Sequence, residues 1–159
     1  MTQPSHSPAR PLSPPVKRSR PRALWPAHRR VPLFVPVPVR ARHDGWSAAR
    51  QGAFIGWLAQ TGSVAQAAAR VGLSRESAHR LRRRPDAGSF AAAWDAALAI
   101  RSGIMIPARK VTPDDLRAWA FDGPVRVRMY RGRFVSAVRQ PSNTALLRLL
   151  SQCDRALRH

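Results

Sequence analysis

Hydrophobic positions between residues 48 and 84 recur with helical spacing, and capping residues divide them into three short helices. The first predicted helix spans residues 48–60, with Ser47 as its N-cap and an apolar side. The second helix begins after Ser63, and Gln66, three residues later, predicts a capping box. Small apolar residues form its buried side at positions i, i+3, i+4 and i+7: Val64, Ala67, Ala68 and Val71.

A tight turn joins the second predicted helix to the third. Gly72 can adopt a positive φ and end the second helix, and Ser74 can cap the next one. The third helix has Ala78 and Leu81 on its inward side. Polar residues form its outward side at the same helical spacing: Glu76, His79, Arg80 and Arg83. The pattern predicts a helix-turn-helix unit within a homeodomain-like trihelical core, whose third helix enters a major groove.

Patterns beyond Pro85 predict two more helices, the first with an apolar stripe that needs a packing partner. Residues 89–101 form this fourth helix, and its stripe is large: Phe90, Trp94, Ala97 and Leu98. Gly103 and Pro107 then interrupt the chain. Thr112 caps a short fifth helix that has proline and two acids in its first turn.

The remaining pattern predicts a β-hairpin and a last helix. Residues 125–138 alternate apolar and basic positions around a turn at Arg131-Gly132. Ser142 caps a helix with apolar residues on one side: Leu146, Leu149, Leu150, Cys153 and Leu157. Because a two-stranded ribbon is marginally stable alone, we expect this helix to cover one hairpin face. Cys153 is then expected to be buried.

Residues 1–42 differ in composition from the rest of the chain. They contain ten of the 15 prolines and nine basic residues, but no acid. This composition predicts a disordered, partly extended arm. Such an arm could follow a phosphate backbone or minor groove. A solvated tail, or a start codon placed too far upstream, would give the same composition.

The predicted fold class is mainly α, with three consecutive segments. Residues 1–42 form the disordered Pro/Arg-rich arm, and residues 43–101 the helix-turn-helix DNA-binding domain. Residues 108–159 form a helix, the β-hairpin and the amphipathic C-terminal helix.

The charge balance favours a polyanionic partner. The formal net charge is +20, from 28 Lys+Arg against 8 Asp+Glu. Such a field attracts nucleic acid and makes association fast and salt-sensitive. A GC-rich genome accounts for the excess of arginine over lysine, but not for the shortage of acids.

Other classes of function have little basis in the sequence. The single cysteine excludes an intramolecular disulfide, and no His/Cys spacing fits zinc. No phosphate-binding glycine loop or Ser-His-Asp set is found, so we expect no enzymatic activity, cofactor or metal. No apolar run approaches a membrane span, and we expect a cytoplasmic protein without membrane partners.

Two groups of residues are candidates for contact with double-stranded DNA. The first lies on and after the third helix: Arg75, His79, Arg80, Arg82, Arg83 and Arg84. The second is a basic ribbon on the hairpin: Arg126, Arg128, Arg131 and Arg133. Each group could instead be an ordinary solvated surface. Within the first group, Arg80 is predicted to read bases and Arg83 to contact phosphate.

Several motifs resemble a known group of proteins. Residues 61–74 carry TGSV-x-x-AA-x-x-VG-x-S, followed by the arginine-rich helix end and Phe-x-x-x-Trp at 90–94. The FDGP turn, the MYRGRFV hairpin and the NTALLRLL helix follow within residues 118–150. Together these segments resemble helix-turn-helix proteins of alphaproteobacteria that are similar to the DNA-binding domain of phage terminase small subunits. The segment IRSGIMIPARKVTP and the arm depart from that pattern.

The resemblance implies DNA binding and leaves the biological role open. A non-enzymatic DNA-binding protein is the first interpretation. A terminase small-subunit-like packaging adaptor, which would form a homo-oligomer through residues 89–157, is the alternative. An RNA-binding role has less basis, because the usual aromatic stacking platform is not evident.

Overall fold

The computed structural model describes residues 30–40, 42–104 and 109–158. Within them the chain is mainly helical, with a single two-stranded antiparallel hairpin. Four helices come first: α1 (Ala48–Thr61), α2 (Val64–Arg70), α3 (Arg75–Arg82) and α4 (Gly88–Ser102). A fifth helix, the hairpin and a last helix follow: α5 (Pro113–Phe121), β1 (Val125–Tyr130), β2 (Arg133–Arg139) and α6 (Asn143–Leu157). The predicted helices and hairpin are therefore present.

Helix α1 is the centre of the main core. Phe54, Ile55 and Leu58 are fully buried on it, and α2, α4 and the hairpin pack around it. From α4, Phe90 and Trp94 complete an aromatic cluster, with the Phe54 and Trp94 ring centroids 4.8 Å apart. The large apolar stripe of the fourth helix thus packs within the same chain.

A segment of the predicted disordered arm belongs to this core. Val31, Phe34 and Val37 are 9%, 0% and 2% exposed. Phe34 pairs with Val125 in an antiparallel bridge, donating at 3.3 Å and accepting at 2.8 Å. The prediction of disorder is therefore wrong for residues 31–39, which we call the strap. Residues 1–29 and residue 41 of the predicted arm lie outside the described residues.

The strap is held by a buried amide side chain. Gln51 on α1 accepts from the Val37 N–H at 2.8 Å and donates to the Val37 carbonyl at 2.9 Å. Proline disfavours a helix and has no N–H to donate to a β-ladder, but it permits an extended chain. The amide of a buried glutamine can both donate to and accept from the backbone of such a chain. High proline content therefore indicates a non-helical strap here rather than a lack of structure.

The hairpin packs against α1 and not against α6. Val125 and Val127 face the main core, whereas Arg126 and Arg128 face outward. Gly56 permits the close approach, because a Cβ atom there would overlap the ring of Phe134. The expectation that the last helix covers the hairpin is therefore wrong, since α1 already does so.

Helices α5 and α6 pack on each other in a second, smaller cluster. Leu116, Ala120 and Ala145 are its buried residues. Beyond Leu149, helix α6 is largely exposed: Leu150 is 56% exposed, and Cys153 is exposed as well. The prediction that Cys153 is buried is therefore wrong, because α5 covers only the first half of α6.

One hydrophobic core contains residues from both of the segments, 43–101 and 108–159, that the sequence analysis treats as separate domains. Val125 and Val127 belong to the same hydrophobic cluster as residues of helices α1–α4. The hairpin therefore packs with the residues of segment 43–101, while α5 and α6 form the separate cluster. In the described ranges, no helix has the length and apolarity needed to cross a membrane.

Candidate nucleic-acid interface

The helix pair α2–α3 is joined by four residues whose geometry follows from Gly72. Its φ of 72° ends α2 and returns the chain, so that the Leu73 N–H reaches the Ala68 carbonyl at 3.0 Å. Ser74 then accepts from the Ser77 N–H at 3.1 Å and caps α3. Local sequence signals alone thus define the direction change between the two helices.

One side of α3 is anchored in the core. Ala78 is fully buried and Leu81 is 3% exposed. These two residues are the buried positions of the helix, so Leu81 is its one large apolar anchor. The predicted inward side of the third helix is confirmed.

The opposite side of α3 presents positive charge to solvent. Its polar residues line a shallow surface depression of about 400 Å³: Arg75, Glu76, His79, Arg80 and Arg83. The three arginines are exposed, whereas His79 is half-buried with its ring centroid 5.4 Å from that of Trp94. In the part of the chain that the structure describes, none of these arginines forms an ion pair.

Arg82 points away from this outer face. Its Nη2 atom lies 2.6 Å from Asp95 Oδ1 on α4, and its Cζ atom lies 5.2 Å from the Trp94 ring centroid. This follows from its position four residues after buried Ala78, on the side of α3 that faces α4. Arg82 therefore fixes α3 to α4 in the free protein.

Arg84 is also engaged within the chain. Its guanidinium donates to both oxygens of Asp86 at 3.0 Å and to the Pro38 carbonyl of the strap at 3.2 Å. The hydrogen bond from Arg84 lowers the pKa of Asp86, and the same bond raises the pKa of Arg84. Two of the six candidate residues after Ser74, Arg82 and Arg84, thus bind neighbouring parts of the chain and do not belong to the outer face of α3.

The four arginines of the predicted basic ribbon have different surroundings. Arg126 and Arg128 line a groove of about 570 Å³ beside the strap and the start of α6, together with Leu33 and Gln140. Arg131 lies in the turn, with its Cζ atom 5.4 Å from the Tyr130 ring centroid. Arg133 begins β2 and is exposed. The lining of the groove therefore distinguishes a groove pair, Arg126 and Arg128, from a tip pair, Arg131 and Arg133.

Asp115, the second of the two adjacent acids in the fifth helix, has a capping role. Asp115 accepts from the Thr112 N–H at 2.9 Å and from Arg109 Nη1 at 2.6 Å, which completes a capping box with Thr112. Burial opposes ionisation of Asp115, but the hydrogen bonds from Thr112 and Arg109 prevail and lower its pKa. Among residues 30–40, 42–104 and 109–158, no three His, Cys, Asp or Glu side chains cluster as metal ligands would.

Two features that contact the end of α3 are not predicted from the sequence: the strap and the side chain of Asp95. The strap is hard to recognise in the sequence because prolines at this density predict disorder. A signal for it is present, since Val31, Phe34 and Val37 recur every third residue, the repeat of a polyproline-type chain. The ion pair between Asp95 and Arg82 could not be predicted, because a lone acidic residue on a helix does not indicate which residue it contacts.

No protein-family model, curated protein or solved structure matches this chain. The resemblance to helix-turn-helix proteins and terminase small subunits therefore stays a prediction made from motifs.

Proposed function

We propose that this chain is a non-enzymatic protein that binds double-stranded DNA by docking α3 in the major groove. In this proposal, helices α1–α3 act as a homeodomain-like trihelical core. One observation carries it: α3 is anchored by Leu81 on one side and presents on the other three exposed arginines that form no ion pair with the residues the structure describes. A face of this kind suits a polyanion, because its charges are not satisfied by acids of the described residues.

The dimensions and side chains of α3 suit a major groove. The eight residues of α3 span about 12 Å along the helix axis. A helix with its side chains is about 10–12 Å in diameter, which a major groove about 12 Å wide admits. Arg80 lies mid-helix, where a bidentate contact to guanine O6 and N7 is the commonest specific contact. Arg83 lies at the C-cap, where a phosphate contact is favoured.

Glu76 adds a carboxylate to the outer face of α3 that can distinguish between bases. It lies in the first turn of α3, where the helix dipole stabilises a carboxylate, and it lines the same depression as Arg80. A carboxylate repels phosphate but accepts from the cytosine N4 amino group. A purely electrostatic surface would gain nothing from an acid there, so Glu76 favours base reading.

Arg82 and Arg84 have positioning roles in this proposal. Arg82 ties α3 to α4 through Asp95, and Arg84 ties the end of α3 to the strap through Pro38. Both contacts reduce the freedom of the helix before DNA arrives, which lowers the entropic cost of docking.

The test is a binding titration with single variants on a selected site and on random duplex across salt concentrations. Arg80→Ala is expected to lose roughly 1–3 kcal/mol on the selected site and to relax specificity. Arg83→Ala is expected to weaken both duplexes alike and to reduce the salt slope by about one unit. Arg117→Ala is the matched control, since Arg117 is exposed on α5, outside the proposed interface. Losses for Arg80→Ala and Arg83→Ala no larger than for the control would refute the proposal.

The second candidate is a packaging adaptor that resembles terminase small subunits and acts as a homo-oligomer. The exposed end of α6 favours it: Leu150, Cys153 and Leu157 are exposed, with Leu157 87% exposed. Together with half-buried Leu146 they have the 4-3-4 spacing of a helix-pairing seam. The proposed occupant of this face is the same helix of a second copy. Light scattering of the wild type and of Leu150→Glu/Leu157→Glu tests it: an assembly that the variant abolishes supports the adaptor, and a wild-type monomer refutes it.

A further inference from the structure

We propose that the groove pair, Arg126 and Arg128, binds the phosphate backbone of a second segment of double-stranded DNA, separate from the duplex that α3 contacts. One molecule then holds two DNA segments at once. The inference rests on the proposed function for the first segment and adds a sequence-independent site for the second. The groove lies between the outer face of β1, the strap and the start of α6.

The lining of the groove suits a phosphate backbone. Arg126 and Arg128 alternate with buried valines, so both guanidinium groups leave β1 on its solvent side. Among the described residues, the lining includes no acidic side chain, and Gln140 and Asn143 add amide groups that can donate to phosphate oxygens. Neither arginine forms an ion pair with any residue that the structure describes.

The spacing of the groove pair favours a chain of phosphates over a single anion. Residues two apart on a strand are separated by about 6.6 Å. Because DNA repeats its charges every 3.4 Å of axis along each strand, the two guanidinium groups can contact separate phosphates of one strand. A repeating polyanion therefore uses both arginines of the groove.

The hairpin and α4 pack on opposite sides of α1. A Cβ atom at Gly52 or Gly56 would overlap side chains of the hairpin, so these glycines face it. Phe54 is two residues from each of them, and its ring centroid lies 4.8 Å from that of Trp94 on α4. At 3.6 residues per turn, two residues correspond to about 200°, so the two sides of α1 lie about 160° apart.

Helix α3 lies on the α4 side of this arrangement. The His79 ring centroid is 5.4 Å from that of Trp94, and Arg82 Nη2 is 2.6 Å from Asp95 Oδ1. The inner face of β1 packs towards α1, so its outer face, with the groove, points away from α1. Because duplex DNA is stiff over about 150 base pairs, a duplex seated on α3 leaves the groove open to a separate segment.

The tip pair provides a matched comparison on the same hairpin. Arg131 and Arg133 carry the same charge as the groove pair, but neither lines the groove. Long-range attraction by net charge affects both pairs alike, whereas phosphates held in the groove depend on Arg126 and Arg128.

The experiment is a bridging assay with the full chain. A duplex that carries the selected site is fixed to a surface and saturated with protein. A labelled random duplex is then added, and its capture is measured across salt concentrations. Every protein carries Leu150→Glu/Leu157→Glu, so that pairing of exposed α6 ends does not join two copies.

The protein with an intact groove is expected to capture the random duplex. Arg126→Gln/Arg128→Gln is expected to lower this capture about tenfold and to reduce its salt slope by about two units, with binding to the surface duplex unchanged. Arg131→Gln/Arg133→Gln is expected to keep the capture. Arg126→Lys/Arg128→Lys is expected to keep most of it, because lysine also binds phosphate.

The outcomes separate this inference from the proposed function. Equal capture by the groove and tip variants would overturn the inference, and so would a failure of the intact groove to capture the random duplex. A matching loss on the surface duplex in the groove variant would overturn it as well, since one duplex would then contact both surfaces. Arg80→Ala and Arg83→Ala on the surface duplex test the proposed function separately, and it fails if they lose no more than Arg117→Ala. Thermal melts of all variants check that the fold is kept.

Discussion

Replacing Leu81 with alanine tests whether α3 is docked on the core as described. Leu81 is 3% exposed and is the one large apolar residue that α3 buries. The substitution removes three carbon atoms, or about 2.4 kcal/mol of transfer free energy at about 0.8 kcal/mol per methylene. Core Leu→Ala substitutions, in which the cavity left behind adds to the transfer free energy, cost about 2–5 kcal/mol in total, and we expect a loss in this range.

Urea unfolding followed by circular dichroism measures this loss. With a slope of about 2 kcal/mol per molar urea, the midpoint is expected to fall by about 1–2.5 M. Leu147→Ala is the control, because Leu147 is 64% exposed on α6 and its truncation should change stability by less than about 0.5 kcal/mol. A Leu81→Ala midpoint equal to that of the control would refute the docking of α3, and with it the exposed arginine face.

The remaining predictions concern other parts of the fold. Gly56→Ala is expected to cost about 1–3 kcal/mol in a thermal melt, because the new methyl group overlaps Phe134 and forces the hairpin away from α1. Gln51→Ala is expected to cost about 1–3 kcal/mol, since the buried N–H and carbonyl of Val37 lose their partner; an unchanged melting temperature would contradict the strap contact. Asp115→Asn is expected to be less stable than the wild type at neutral pH. Because the folded pKa of Asp115 lies below its unfolded value of about 3.9, that difference should be fully present above about pH 4 and shrink as the pH falls further; a constant difference down to pH 2 would contradict it.

The helices could be predicted because their ends are encoded locally. Ser47, Ser63, Ser74 and Ser142 each accept from a backbone N–H three residues later, as N-caps do. Those signals lie within four residues of the feature they specify. The hairpin is similar, since its alternation and its turn lie in one short segment.

The packing between elements could not be predicted in the same way. Nothing local distinguishes Gly56 as the place where a hairpin approaches α1, or Asp95 as the partner of Arg82. The candidate interface likewise contains features that local spacing predicts and contacts that it does not. Helical spacing predicts that Arg80 and Arg83 share one exposed face, but only the folded chain shows that Arg84 donates to the Pro38 carbonyl of the strap.

The bridge between Phe34 and Val125 has a consequence for how the chain folds during synthesis. Its two residues are 91 positions apart, and the Phe34 ring packs against Phe90, with centroids 5.8 Å apart. Helices α1 to α4 can form as soon as they emerge from the ribosome, yet the strap has no ladder partner until β1 has been made. Closing so long a loop is slow compared with helix formation. Until then α1 carries an open apolar seam, and we expect the hairpin to cover it only after β1 and β2 have been made.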